Sequence, residues 1–229
     1  MDGWMWFWVT LLSNWYTWPF IIAFVAAVGG PFVRAVRLWQ AKRRFIVSQG
    51  AKLLNPQNAD ARFQLANIYA EGGSWRRALQ YAQEAVRVAE ENPLYEKQIP
   101  YHFLRLLGDA RLQRGQVAEA IDAYQRALGA KSDLGYGEAR LGLGKALYRK
   151  GDTAKSFDAL RQAVEDNGSN LEGYFRLAQA ATDLGRDADA DKVKREFWRV
   201  AATLPRFAGR HRLRWRMAFL LFPLTRLFV

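Results

Sequence analysis

The chain has 229 residues, half of them hydrophobic, with no cysteine and only two histidines, His102 and His211. That composition supports a sizeable core and excludes a disordered chain, a disulfide scaffold, thiolate metal sites and cysteine nucleophiles. The net charge of +12 is concentrated at the ends: residues 1–54 carry six Lys or Arg and one acid, residues 205–229 carry six Arg and no acid, and residues 55–204 carry 22 basic and 21 acidic side chains.

In chain order, the first element is an uncharged run from Gly3 to Val33, long enough to cross a hydrocarbon core of about 30 Å. The sequence predicts one transmembrane helix there, within a membrane anchor over residues 1–39. Ser13, Asn14 and Pro19 separate a Trp-rich stretch from the apolar run that follows, so residues 4–16 either lie in the interface or begin a single kinked helix. Trp4, Trp6, Trp8, Trp15 and Trp18 on one side and Trp39 on the other are placed as interfacial aromatics. Arg34, Arg37, Lys42, Arg43 and Arg44 follow the run and only Asp2 precedes it. The positive-inside bias then puts the N-terminus outside and the remainder in the cytoplasm, a single-pass membrane protein. A cleaved signal peptide would need a basic N-terminal region, and Asp2 stands there instead.

Residues 40–58 are predicted to form a basic linker and a half-repeat helix ending at Ala51-Lys52-Leu53-Leu54-Asn55-Pro56. From residue 59 to 204 a motif recurs: Leu followed by a small residue, then a second small residue twelve positions later. The four copies are Leu65-Ala66 with Ala78, Leu107-Gly108 with Ala120, Leu143-Gly144 with Ser156, and Leu177-Ala178 with Ala190. Ala66, Gly108, Gly144 and Ala178 lie 42, 36 and 34 residues apart, the first interval containing an insert from Pro93 to Pro100. Gly72-Gly73, Gly115, Gly151 and Gly185 mark a turn inside each copy. Small residues let two antiparallel helices approach closely, and an amphipathic hairpin buries its faces only by stacking on others. The expected fold is therefore all-α: a transmembrane helix, a solenoid of four helical hairpins, and a C-terminal amphipathic helix.

Leu107 to Leu128, LGDARLQRGQVAEAIDAYQRAL, resembles a tetratricopeptide repeat (TPR), with weaker copies over about 59–92, 137–170 and 171–204. The last copy departs from the pattern, with Lys194 at the usual aromatic place and Phe197 at the packing Ala. The resemblance implies that the first helix of each hairpin lines a concave groove for extended peptides or partner helices. It places Phe63, Asn67, Arg105, Asp109, Lys145, Tyr148, Arg149, Phe175 and Gln179 in that groove, a mixture of aromatics and mainly positive charges. The clamp for a C-terminal carboxylate known in the family needs a Lys where Phe63 stands, so that ligand class is not expected. Arg105, Lys145, Tyr148 and Arg149 are not expected to be needed for the Leu and Ala packing between helices.

No catalytic constellation emerges. Gly142-Leu143-Gly144-Lys145 superficially matches a phosphate loop but has Ala139 in place of the upstream Gly and Ala146 in place of Ser/Thr. His102 and His211 have no nucleophile or acid partner at motif spacing. No enzyme activity, metal or cofactor is expected.

Residues 205–229 place Arg210, Arg212, Arg214 and Arg216 ahead of an apolar run too short to span a bilayer. With Trp215 and Phe219 they predict a basic amphipathic tail on anionic lipids at the cytoplasmic face, too exposed for a solenoid cap. The alternative is docking of its apolar residues on the N-terminal span or a partner subunit. Together these elements point to a membrane-anchored TPR-like scaffold or adaptor with protein partners in or at the membrane. The alternative is an accessory structural subunit held through the Trp-rich N-terminus. A basic nucleic-acid binder ranks last, because a nucleic-acid reader carries its basic stripe on the folded body and this body is neutral.

Overall fold

A computed structural model describes residues 29, 32–33, 35–44, 55, 58–92, 95, 99–130, 137–205 and 209–220. The transmembrane span expected within residues 4–33, with Trp4, Trp6, Trp8, Trp15 and Trp18, lies outside the described residues except for Gly29, Phe32 and Val33. Among the described residues no helix is long and apolar enough to cross a membrane. Residues 35–44 are helical. Among the described residues nine further helices follow: α1 (Ala59–Glu71), α2 (Trp75–Glu91), α3 (Tyr101–Gln113), α4 (Val117–Ala130), α5 (Glu138–Lys150), α6 (Thr153–Asp166), α7 (Leu171–Asp183), α8 (Asp187–Thr203) and α9 (Gly209–Leu220).

Local chemistry starts the helices where they start. Asn58 Oδ1 accepts from the Ala61 N–H at 3.0 Å, Asp152 Oδ1 from Lys155 N–H at 3.3 Å and Asn170 Oδ1 from Gly173 N–H at 3.1 Å, each satisfying an orphan donor. The α5 N-terminus has no such cap; the Tyr101 hydroxyl, from the preceding hairpin, accepts from Ala139 N–H at 3.0 Å instead. Inside the hairpins the turn glycines Gly73, Gly115, Gly151 and Gly185 have φ of 76°, 80°, 90° and 70°, the left-handed conformation that lets one helix end and the next reverse.

The helices pair as four antiparallel hairpins, α1–α2, α3–α4, α5–α6 and α7–α8, which stack in order. The chain is an all-α, TPR-like solenoid. Ala66, Ala78, Ala110, Ala120, Ala146, Ala178 and Ala190 are almost wholly buried where backbones approach. Ser156, the polar member of the motif, is buried and donates from Oγ to the Gly144 carbonyl at 2.8 Å, a bond that offsets the desolvation of its hydroxyl. Among the described residues Tyr124 is the largest fully buried side chain, and it sits between Gly108 and Gly142. A Cβ on Gly108 would come within 2.7 Å of its ring and one on Gly142 within 2.4 Å. The first helices of successive hairpins touch one another, α1 to α3, α3 to α5 and α5 to α7, forming the inner, concave layer.

Both ends of the stack carry additional structure. Leu38, from the helical segment 35–44, packs with α1 and abuts Gly72, and the Lys42 ammonium lies over the Tyr69 ring at 5.9 Å from its centroid. At the other end α9 packs on α7. Trp215 and Phe219 are buried with Phe175, Phe197, Leu171 and Ala201. The ring centroids of Phe197 and Phe219 are 3.9 Å apart, those of Phe175 and Phe219 5.2 Å and those of Phe175 and Trp215 5.4 Å. This corrects the expectation that the tail is too exposed to cap the solenoid: the oversized Phe197 at a packing-Ala position and Phe175 beside it form an apolar platform that α9 covers.

Candidate functional site

The concave layer is the candidate site, and its geometry follows from charges about one repeat apart. On α3, Arg105 Nη1 donates to Asp109 Oδ2 at 2.9 Å and Arg105 Nε pairs with Glu138 Oε2 of α5 at 3.1 Å. Asp109 Oδ1 also accepts from the Tyr124 hydroxyl at 2.7 Å. Burial holds the Asp109 carboxyl above the usual carboxylate range, partly opposed by Arg105, the Tyr124 hydroxyl and Lys145. Burial, with Asp109 adding to it, pushes the Tyr124 phenol far above its ordinary range, so that hydroxyl stays a donor.

Between α5 and α7, Lys145 Nζ pairs with Glu172 Oε1 at 2.9 Å and the Tyr148 hydroxyl donates to Asp183, while within α7 Arg176 Nη1 donates to Gln179 Oε1 at 3.2 Å. Burial first, then the Asp183 bond and charge, raise the Tyr148 phenol to about 12. Arg149 Nη1 donates to the Leu112 carbonyl at 2.7 Å, capping the C-terminal end of α3 from the next hairpin. Lys145, Tyr148, Arg149, Leu160 and Arg176 line a shallow concavity of about 190 Å³.

Of the nine predicted groove residues, Lys145, Tyr148, Arg149 and Gln179 come together around that concavity. Arg105 and Asp109 form the adjoining pair on α3. Asn67 on α1 donates to Glu71 Oε1 at 3.1 Å. Phe63 belongs to the apolar packing, its ring stacked on Phe103 at 4.8 Å and edge-on to His102 at 4.7 Å. Phe175 is not available to a groove ligand, because Trp215 and Phe219 cover it.

Three expectations are corrected. The surface is not mainly positive: Arg105, Lys145, Arg149 and Arg176 are interleaved with the expected Asp109 and with Glu138, Glu172 and Asp183, three acids not expected there. Nor are Arg105 and Arg149 bystanders to packing, since both link α3 to α5. Among the predicted membrane-interface residues, Trp215 and Phe219 are buried in the fold and do not face lipid. Trp39 and Arg214 are exposed, and half-buried Arg216 donates to the Ala201 carbonyl at 3.4 Å and lies over Trp198. The side chains of Arg210 and Arg212, on the first turn of α9, lie outside the description. Among the described residues no group of three or more His, Asp or Glu is placed to hold a metal ion.

Comparisons with known proteins agree with this architecture. A tetratricopeptide repeat family model matches residues 34–96, 98–135 and 141–196. No curated protein sequence matches the chain. Solved structures of similar fold include a crystal structure of MamA, with 20% identity and a TM-score of 0.57 over 69% of this chain and 85% of that one. Another is residues 41 to the end of MamA from Desulfovibrio magneticus RS-1, at 13% identity and a TM-score of 0.58 over 76% and 96%. YrrB, described as a TPR protein with an unusual peptide-binding site, matches at 15% identity and a TM-score of 0.57 over 72% and 79%. With more than half of its residues matched by the family model and hairpins that stack through buried small residues, the chain belongs to the tetratricopeptide repeat family.

Proposed function

We propose that this chain is a membrane-anchored TPR scaffold that holds protein partners in its concave layer at a membrane surface, without catalysis of its own. The observation that carries the reading is the state of that layer. Half-exposed Asn67 on α1, Arg105 and Asp109 on α3, Lys145 and Tyr148 on α5 and Gln179 on α7 come from successive first helices and are held by paired charges and hydrogen bonds. Side chains already fixed in place lose little rotamer entropy when a partner binds. The balanced charge fits an extended peptide of mixed polarity rather than a strongly acidic one, and the peptide-binding site named for YrrB is in keeping with this. Anchoring rests on the uncharged run from Gly3 to Val33 followed by five basic residues before Phe45.

Two measurements test the two halves. Alkaline carbonate treatment of native membranes should leave the chain in the pellet; its release would overturn the anchor. Capture of partners from detergent-solubilised membranes should fall in a Tyr148→Ala, Gln179→Ala variant. Its circular dichroism should be unchanged, since half-exposed sites of this kind shift stability by about 1 kcal/mol or less. Undiminished capture by the folded variant would overturn the groove reading.

A further inference from the structure

The helix α9 has two apolar faces, and among the described residues only one of them is packed. Trp215 and Phe219, one turn apart, are 5% and 7% exposed against α7 and α8. Leu213, Met217 and Leu220, at i, i+4 and i+7, are 62%, 47% and 61% exposed. At about 100° per residue these three share an arc on the side of the helix away from Trp215 and Phe219. Exposed Arg214 lies beside the arc, its guanidinium 5.2 Å from the Trp215 ring centroid. From Pro205 to Val229 the chain carries six Arg and no acid.

We propose that the outward face of α9 seats on an anionic lipid bilayer, with Leu213, Met217 and Leu220 in the acyl boundary and Arg214 at the headgroups, while Trp215 and Phe219 stay docked on the solenoid. The proposal rests on the membrane-anchored reading and adds a second, specific contact. Charge chooses the occupant. A second copy of α9 on the same face would bring arginine against arginine, which is repulsive. A nucleic acid would engage the arginines but leave the Leu213, Met217 and Leu220 stripe in water. An anionic bilayer satisfies both, as interfacial amphipathic helices do by burying their apolar face about 5–10 Å into the headgroup boundary. Because the opposite face is fixed to Phe175 and Phe197, this contact would hold the last hairpin, and the concave layer with it, in one orientation over the membrane.

The absence of native cysteine permits a direct test. The full chain is reconstituted in vesicles as Met217→Cys, or as Gln162→Cys on exposed α6, carrying an environment-sensitive fluorophore, with a nitroxide-labelled lipid as quencher. In phosphatidylcholine vesicles containing phosphatidylglycerol the residue-217 probe should be quenched and blue-shifted, and the residue-162 probe should not. Quenching should be lost without the anionic lipid. It should also weaken between 0.1 and 1 M salt, as the screening length falls from about 10 to about 3 Å. Added Arg214→Gln should weaken the contact about fivefold. A residue-217 probe that stays in water, quenching equal in neutral vesicles, or burial that depends on protein density rather than lipid charge would each overturn the proposal, the last by assigning the face to a second copy. A chain that resists carbonate extraction while its residue-217 probe stays in water keeps the anchor and loses this contact. A chain that is extracted loses the anchor, and the same probe with added vesicles still decides α9.

Discussion

Replacing Gly142 by alanine would place a methyl group 2.4 Å from two atoms of the Tyr124 ring, which is fully buried. The ring has nowhere to move: Gly108 lies against it, where a Cβ would be 2.7 Å away, and its hydroxyl is bonded to Asp109 at 2.7 Å. Overpacking of this kind costs about 1–3 kcal/mol, against which a helix-interior Gly→Ala change recovers about 1 kcal/mol of backbone propensity. The net loss of up to about 2 kcal/mol corresponds to a melting temperature lower by up to about 8 °C for a chain of this size. Gly129→Ala in α4 meets nothing within 4 Å and should instead raise stability by up to about 1 kcal/mol. Thermal unfolding of both variants by circular dichroism checks the contrast in sign. Shrinking the ring in a Tyr124→Leu background should reveal coupling of at least about 0.5 kcal/mol with Gly142→Ala. A Gly142→Ala protein as stable as Gly129→Ala would refute the claim that Tyr124 is wedged between two hairpins.

Phe219→Ala should release α9, since truncating a buried Phe costs about 3–5 kcal/mol. Limited trypsin digestion should then cut within α9 while the first three hairpins stay resistant, and unchanged cleavage kinetics would contradict the docking. Arg149→Met keeps the stem but removes the donor to the Leu112 carbonyl; urea unfolding should show a loss of about 1–2 kcal/mol. Arg87→Met, at an exposed pair with Glu91, should cost about 0.5 kcal/mol or less. Tyr95 and Tyr148 have phenols raised to about 12, first by burial and then by their bonds to Asp60 and Asp183. Their folded values lie above the unfolded 10, so their contribution to stability is complete below pH 10 and is lost as pH rises towards 12. Near-UV absorbance should show these two tyrosines ionising late, and Asp60→Asn should bring Tyr95 down only part of the way.

The hairpins were legible because close helix approach leaves a one-dimensional trace, a small residue every time two backbones meet. Ala66 to Ala78 and Gly108 to Ala120 show it, and so do the left-handed glycines between them. Contacts between hairpins left a weaker trace. Gly142 looked like part of a failed phosphate loop, whereas its cause lies in Tyr124 of the previous unit. The acidic halves of the concave layer, Glu138, Glu172 and Asp183, stand about one repeat from Arg105, Lys145 and Tyr148. Pairing charges at that offset, rather than within one helix, is the signal that finds them. The docking of α9 was announced by two oversized residues in a single unit, Phe175 and Phe197, followed by Trp215 and Phe219 one helical turn apart. Taken one at a time, those aromatics look like a groove residue, an irregularity and a membrane anchor.

The most direct test of the scaffold reading is photo-crosslinking from inside the layer. A photoreactive amino acid at Gln179, half-exposed beside Arg176 and Tyr148, is compared in native membranes with the same group at exposed Gln162 on α6. The account predicts a discrete protein adduct from residue 179 that is absent from residue 162 and lost when Tyr148→Ala is added. Adducts of equal yield from both positions, or none from residue 179 while the chain remains assembled with membrane partners, would contradict it.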